Sequence, residues 1–593
     1  MADEDRTTCP SMTKKGHAAY VQRVPVSVGG KHKIPVDMRP VIPIVFLPGV
    51  MGTNLQNPDF PEPVWEPDKG FSLWLTYKDL TGEERQTRLD MTKAVVYDGG
   101  EINVALNTAS EATLRERGWG SVMASSYHLF MTLMQMSLNR VSSYGTLDPS
   151  WQKRQALRMQ KYGMSSGMEP LTKDELTNLA KFRFEVWACG YNWIQSNVES
   201  AEHVKAFIRD TVLASYEKEE KIAKETAQKE GREGEESVVR LAAKKVILVT
   251  HSMGGLVARQ LCSDAGGGRD LILGVVHGAQ PSNGAGETYT NLRQGVQGSG
   301  VEGSMKATII GDSTAALGPV FTQCLGGLQL LPFGFNNAYN PYVEYYNRGV
   351  QTFMRLHPPG CLSPDKHQTS PGAWLYWQHP EKGLLEHAGG EKIYDDIYKC
   401  ELDPQKADWH RLLPRHNVQY FDPAGILRRD NEDTPSHEIF NGFINQVWKF
   451  HKNIVGYYHP TTYAFWSAGT DTAATGEALW QWSRHMEWRG SMLPILTPVE
   501  TPERDTGKGE YMQGRDHYTL HDVKQPGDGT VPRASWQRDL SAQSMKGYCL
   551  LGDTTEDPKG FSHQDAFNDS RAQEATLYFL TKVVNNRLEE LQS

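Results

Sequence analysis

KVILVTHSMGGLVAR, Lys245–Arg259, joins the clearest β-branched apolar run of the chain to a helix-forming stretch through a turn of small residues. Lys245–Thr250 (KVILVT) reads as a buried strand, and Met253–Leu261 behind it reads as a helix. Ser252 stands at the junction. A nucleophilic serine needs such a strand-to-helix turn, which lifts its hydroxyl above the sheet and aims a helix N-terminus at the reacting centre. The turn strains the serine backbone, so the residues two positions away must be small. Gly254 meets that requirement, whereas Thr250 stands where a first glycine is usual. The competing assignment, a serine that only caps a helix, asks for none of these neighbours.

The same alternation of strand and helix extends in both directions. Val41–Leu47 (VIPIVFL) is a strand entering the turn PGVMGTN, and Phe184–Cys189 (FEVWAC) is another, closed by GYNW. Helical spacing follows from Val198 to about Tyr216. Ile272–His277 (ILGVVH), Thr462–Ala468 and Tyr548–Leu551 read as further strands, and a last helix runs from about Gln573 to Leu591. Continuous apolar strands alternating with helices predict an α/β fold: a mostly parallel sheet with helices on both faces. The pattern lapses between Gln280 and Tyr463, in a span too long to be a loop of a compact domain. The expected organisation is an N-terminal arm over 1–38, a first part of the core over 39–285 with an insertion at about 56–180, an insertion or cap domain over 286–455, and a second part of the core over 456–593. Glu217–Glu236 carries 13 charged residues in 20 and reads as a solvated helix extension.

Composition narrows the function. With 62 Lys and Arg against 71 Asp and Glu over 593 residues, the net charge of −9 offers no basic tract to nucleic acid. Seven cysteines without a CxxC spacing exclude a disulfide scaffold and a cysteine-rich zinc module. The N-terminus lacks the apolar core of a signal peptide, so the chain is expected to be made without one. The uncharged run Leu317–Phe335 holds two Pro and four Gly, which suits a buried, loop-rich segment better than a membrane helix.

Several stretches, in order, resemble the α/β-hydrolase lipases similar to lecithin:cholesterol acyltransferase and its bacterial relatives. They are Leu47–Leu55 (LPGVMGTNL), Cys189–Asn197 (CGYNWIQSN), Val249–Arg259, Gly326–Phe333 (GGLQLLPF), Phe465–Thr472 (FWSAGTDT) and Gly527–Ser535 (GDGTVPRAS). The combination looks closest to the type VI secretion lipase effectors, specifically their third family. The resemblance implies an α/β-hydrolase fold with large cap regions and a Ser-Asp-His triad in that chain order. It places the acid at Asp528, between glycines that suit a tight turn, although a D-G pair is also a common surface turn. Asp522, Asp553 and Asp557 remain weaker alternatives. The base falls at His563, 35 residues later, on a loop after the last core strand. His517 and His521 precede Asp528 and, lacking a further ligand motif, read as surface or core histidines rather than a metal pair. Backbone N–H groups of Val50 and Met253 would complete an oxyanion hole. No cofactor or metal is implied.

The resemblance further implies a phospholipase A-type hydrolase of membrane glycerophospholipids, acting as an antibacterial toxin. Its partners would be the phospholipid surface, a VgrG spike or adaptor, and a cognate immunity protein, with no nucleic acid. It would be made in the bacterial cytoplasm, exported by the type VI apparatus and active at the target-cell periplasm or membrane. Fifteen Trp, several near the expected site (Trp65, Trp74, Trp374, Trp377, Trp480, Trp482, Trp488), suit acyl pockets and headgroup regions, and equally suit the cores of the insertions. Leu330–Phe333 would line the acyl pocket or pack a core. A neutral lipase or acyltransferase is the runner-up; a non-catalytic binding module on a hydrolase fold is the alternative of another class.

Overall fold

The computed structural model describes residues 39–229, 244–333 and 410–593 apart from short gaps, with isolated segments between 8 and 34 and between 343 and 402. Most of the N-terminal arm therefore lies outside the described residues. Seven strands form the central sheet: β1 (Val41–Leu47), β2 (Ser165–Ser166), β3 (Arg183–Ala188), β4 (Val246–His251), β5 (Ile272–Gly278), β6 (Thr462–Ser467) and β7 (Met545–Leu551). Their order is β3-β1-β4-β5-β6-β7-β2, parallel throughout except for β2 at the edge. β1, β4 and β5 are buried along their whole length, which is why their sequences carry no polar alternation.

Alternate residues of β1 serve two cores. Ile42, Ile44 and Phe46 face the helices α1 (Ala124–Asn139) and, at the other end of the chain, α6 (Ser570–Asn586). Val41, Val45 and Leu47 face α2 (Asn197–Ala206) and α3 (Gly254–Cys262), between which the sheet is covered on its second side. Helices thus lie on both faces, the α/β arrangement read from the sequence. The helix expected from Val198 is real but continues through a π-helical stretch, Phe207–Leu213, into Ala214–Lys229.

The insertion expected at about 56–180 within the first part of the core packs onto the sheet: α1, Trp119, Trp151 and Met168 are buried with it, and β2 extends it. The expected boundary at residue 455 does not separate the two sheets. A second, six-stranded sheet takes Leu375–Gln378 and Lys392–Asp395 from the expected cap, but its remaining strands are Gly469–Arg484, Thr501–Asp505, Glu510–Gly514 and Asp516–Gly527. The chain leaves β6 and enters this sheet with only Ala468 between. Its core, with Trp374 and Trp480, also packs α4 (Glu287–Gln294) and α5 (Ser436–Ile454). A fully buried ion pair, Arg293–Asp505 at 2.7 Å, joins α4 to the far strand. Leu317, Leu328, Leu331 and Phe333 are buried within short helices and turns, and no helix among the described residues is long and apolar enough to cross a membrane.

Candidate active site

The turn after β4 has the strain its sequence predicts. Ser252 adopts φ +52°, one of three non-glycine residues with a left-handed backbone among the described residues. Its N–H donates to Gly278 O (3.0 Å) at the end of β5, and its carbonyl accepts from Gly255 N (2.9 Å), so both sides of the elbow are fixed. Gly254 has to be glycine, since a Cβ there would lie 2.6 Å from Pro48 O. Thr250 points away from the elbow instead, its hydroxyl 2.8 Å from His277 Nδ1 on the neighbouring strand. That contact accounts for a threonine where a glycine is usual.

Residues distant in sequence converge on Ser252. His563 Nε2 lies 2.8 Å from Ser252 Oγ, and His563 Nδ1 lies 2.7 Å from Asp528 Oδ2. Asp528 is 2% exposed and is held by more than the imidazole. Its other carboxylate oxygen accepts from the backbone N–H groups of Val531 (2.7 Å) and Thr530 (3.1 Å). Its own carbonyl accepts from His563 N at 2.7 Å. Asp528 follows the long cap strand Asp516–Gly527, whose last carbonyl is clamped by the hydroxyls of Ser467 and Thr472, both at 2.7 Å. Strand β6 and the cap hairpin therefore place the acid together. His517 and His521 lie on that same strand, paired opposite Ser483 and Leu479. Among the described residues no cluster of three or more potential metal ligands exists. Of the other acid candidates, Asp557 pairs with Arg571 (2.9 Å) and Asp522 with Lys524 (3.4 Å).

The turn PGVMG lies directly against the nucleophile: a Cβ on Gly49 would come within 2.9 Å of Ser252 Cβ. Met51 takes φ +63° within it. The turn is held by Tyr191, whose hydroxyl donates to Pro48 O (2.8 Å), and by Trp65, whose Nε1 donates to Met51 O (2.8 Å). Met253 caps α3 on the other side, fully buried. Of the tryptophans singled out, Trp65, Trp374 and Trp480 are buried packing residues, while the side chains of Trp377 and Trp488 lie outside the described residues.

Three neighbours escaped the sequence reading. His251 is 1% exposed; burial first, and then His563, presses its pKa down to about 3. Tyr127, from α1, reaches both the PGVMG turn and His251. A histidine inside the elbow motif reads as filler, and a tyrosine on a helix carries no signature. Glu287, at the start of α4, is a third: burial raises its carboxyl pKa, opposed by Lys524, a hydrogen bond with Thr530 and His563.

No family model matches the chain, and no curated protein matches it either. Among solved structures, the crystal structure of the Tle4–Tli4 complex is similar over 92% of this chain and 99% of that chain, with a TM-score of 0.69 and 27% sequence identity. The chain is built like a type VI lipase effector. The match extends to the α/β-hydrolase fold, of which Tle4 is an example. It speaks for the effector group as a whole and does not single out the third family. The likeness supports a lipase-type hydrolase effector in general terms.

Proposed function

We propose that this chain is a serine phospholipase of the A type, delivered by a type VI secretion apparatus against rival bacteria. The observation that carries the reading is the row Asp528–His563–Ser252, at 2.7 and 2.8 Å, on a chain alike to Tle4 over nearly its whole length.

Ser252 Oγ is a weak nucleophile at its own pKa, so His563 Nε2 takes its proton as the oxygen attacks the acyl carbonyl. Asp528 Oδ2 accepts from Nδ1–H, fixing the tautomer and stabilising the imidazolium as it forms. The N–H groups of Val50 and Met253 receive the oxyanion, and a donor of this kind is worth about 10²–10³ in rate. His563 then protonates the departing lysophospholipid oxygen. Water, activated by the same imidazole, attacks the acyl-enzyme; fatty acid leaves and Ser252 regains its proton.

The cap sheet, joined directly to β6 and to the acid, forms the substrate side in this reading. A cognate immunity protein is the expected inhibitor, as Tli4 is the partner of Tle4 in the similar structure. A VgrG spike or adaptor would load the protein, and the site of action would be the target-cell envelope. The test is a substrate panel of phospholipid, triglyceride, and phospholipid with a sterol acceptor, run beside a fluorophosphonate serine probe. Hydrolysis of phospholipid supports the reading. Activity confined to triglyceride or to acyl transfer would replace it, and a chain that neither turns over nor takes the probe would be a binding module.

A further inference from the structure

We propose that Tyr127 is a positioning residue that locks the oxyanion turn to the base loop through a hydrogen-bonded strut of fixed polarity. The proposal rests on the serine-hydrolase reading above. Three contacts make the strut: Gly49 N to Tyr127 OH at 3.3 Å, Tyr127 OH to His251 Nδ1 at 2.9 Å, and His251 Nε2 to His563 O at 2.9 Å.

The polarity follows from the last contact. A carbonyl oxygen only accepts, so His251 Nε2 must carry its hydrogen. The buried imidazole is neutral at working pH, and Nδ1 is then an acceptor. Tyr127 therefore donates its hydroxyl hydrogen to Nδ1, leaving its oxygen lone pairs for Gly49 N–H. Each link has one direction only, from the turn through the tyrosine and His251 to the backbone of His563.

This polarity settles which amide of the turn meets the oxyanion. Gly49 N–H is engaged by Tyr127, so the next amide, that of Val50, serves as the donor. The other end matters equally. His563 has its N–H on Asp528 O at 2.7 Å and its carbonyl on His251, so its backbone is gripped on both sides. Gln564 adds a bond from its Nε2 to Ser126 Oγ (2.9 Å) and reaches the Tyr127 hydroxyl as well. Productive donors and bases must hold to within about 0.5 Å and 10–20°. A rigid tie between the two loops keeps oxyanion donor and base in one frame as charge develops.

The test is Tyr127→Phe, which keeps the ring against Phe46 (centroids 4.9 Å apart) and removes only the hydroxyl. The expected result is a kcat lowered about 10- to 100-fold, a fraction of the loss for a whole oxyanion donor, with KM within twofold of wild type. A second readout needs no variant of Tyr127: nitrogen NMR of 15N-histidine-labelled wild type, assigned with His251→Gln, should show His251 protonated at Nε2. A kcat within twofold of wild type in a folded Tyr127→Phe, or an Nδ1-protonated His251, would overturn the proposal; if the variant does not fold, the tautomer decides alone. Activity retained by Ser252→Ala would defeat the underlying reading instead, whereas an inactive Ser252→Ala beside an unimpaired Tyr127→Phe would defeat only this one.

Discussion

Replacing Gly49 by alanine drives a methyl group into the gap between the oxyanion turn and the nucleophile. The new Cβ would stand 2.9 Å from Ser252 Cβ and 3.1 Å from His251 Nδ1, where carbon atoms rest at about 3.5–4.0 Å. Relief requires the turn or the elbow to retreat by roughly 0.5–1 Å. The turn has little freedom to yield elsewhere. Pro48 O is bonded to Tyr191, Met51 O to Trp65 and Gly52 O to Met123 N, while a Cβ on Gly52 would already meet the Tyr127 hydroxyl at 2.7 Å. The displacement therefore falls between Val50 N–H and Ser252 Oγ. A misplacement of about 1 Å at a reacting centre costs about 10²-fold, equivalent to about 3 kcal/mol of transition-state stabilisation. Gly49→Ala should lower kcat on phospholipid by about that factor with little change in KM, and initial rates over a range of substrate beside a urea melt measure both. A folded Gly49→Ala with kcat within threefold of wild type would refute the placement of the oxyanion turn.

Ser252→Gly relieves a left-handed backbone that costs an L-residue about 1–2 kcal/mol, so it should abolish activity while raising the urea midpoint; an unchanged or lower midpoint would contradict the strained elbow. Asp528→Asn should retain the fold and reduce kcat by about 10⁴-fold, because an amide no longer holds the imidazole in its working tautomer; steady-state rates check this, and a loss under tenfold would move the acid elsewhere. Acid should destabilise the chain early. Burial presses His251, His277 and His451 to a pKa of about 3 and His459 to about 4, from 6.5. Below pH 6.5 the unfolded chain binds protons that the folded one refuses, so the stability of neutral burial is complete above that pH and is lost as pH falls toward 3. Each histidine removes about 1.4 kcal/mol per pH unit on that slope. Melting temperatures should be level above pH 7 and fall steeply from pH 6.5 to 4.5; a flat profile over that range would sink the assignment.

The sheet was legible because its strands are buried on both faces. Val41–Leu47, Val246–Val249 and Ile272–Val276 are continuous apolar runs, a pattern with few other structural solutions. The cap was not legible, for a physical reason at Ala468. Two strands of different sheets abut there, and the partners of Gly469–Arg484 lie about a hundred residues away, at Leu375–Gln378, and past the intervening strands Thr501–Asp505 and Glu510–Gly514, at Asp516–Gly527. Hydrophobic patterning states that a strand has a buried face, not which sheet receives it. At the site, the elbow carried its own signal in Ser252 and Gly254, and Asp528 and His563 rested on family motifs. The structure sets all three side chains in one row. Tyr127 and His251 were invisible because their role depends on where α1 packs, which no local spacing encodes.

The central claim is that Ser252 is the nucleophile of a phospholipid hydrolase. Wild type and Ser252→Ala should be incubated with phospholipid vesicles, with released fatty acid and lysophospholipid both quantified. Equal amounts of the two products from wild type, and a rate lower by orders of magnitude in the variant, is the expected result. Comparable product from a folded Ser252→Ala would contradict the account.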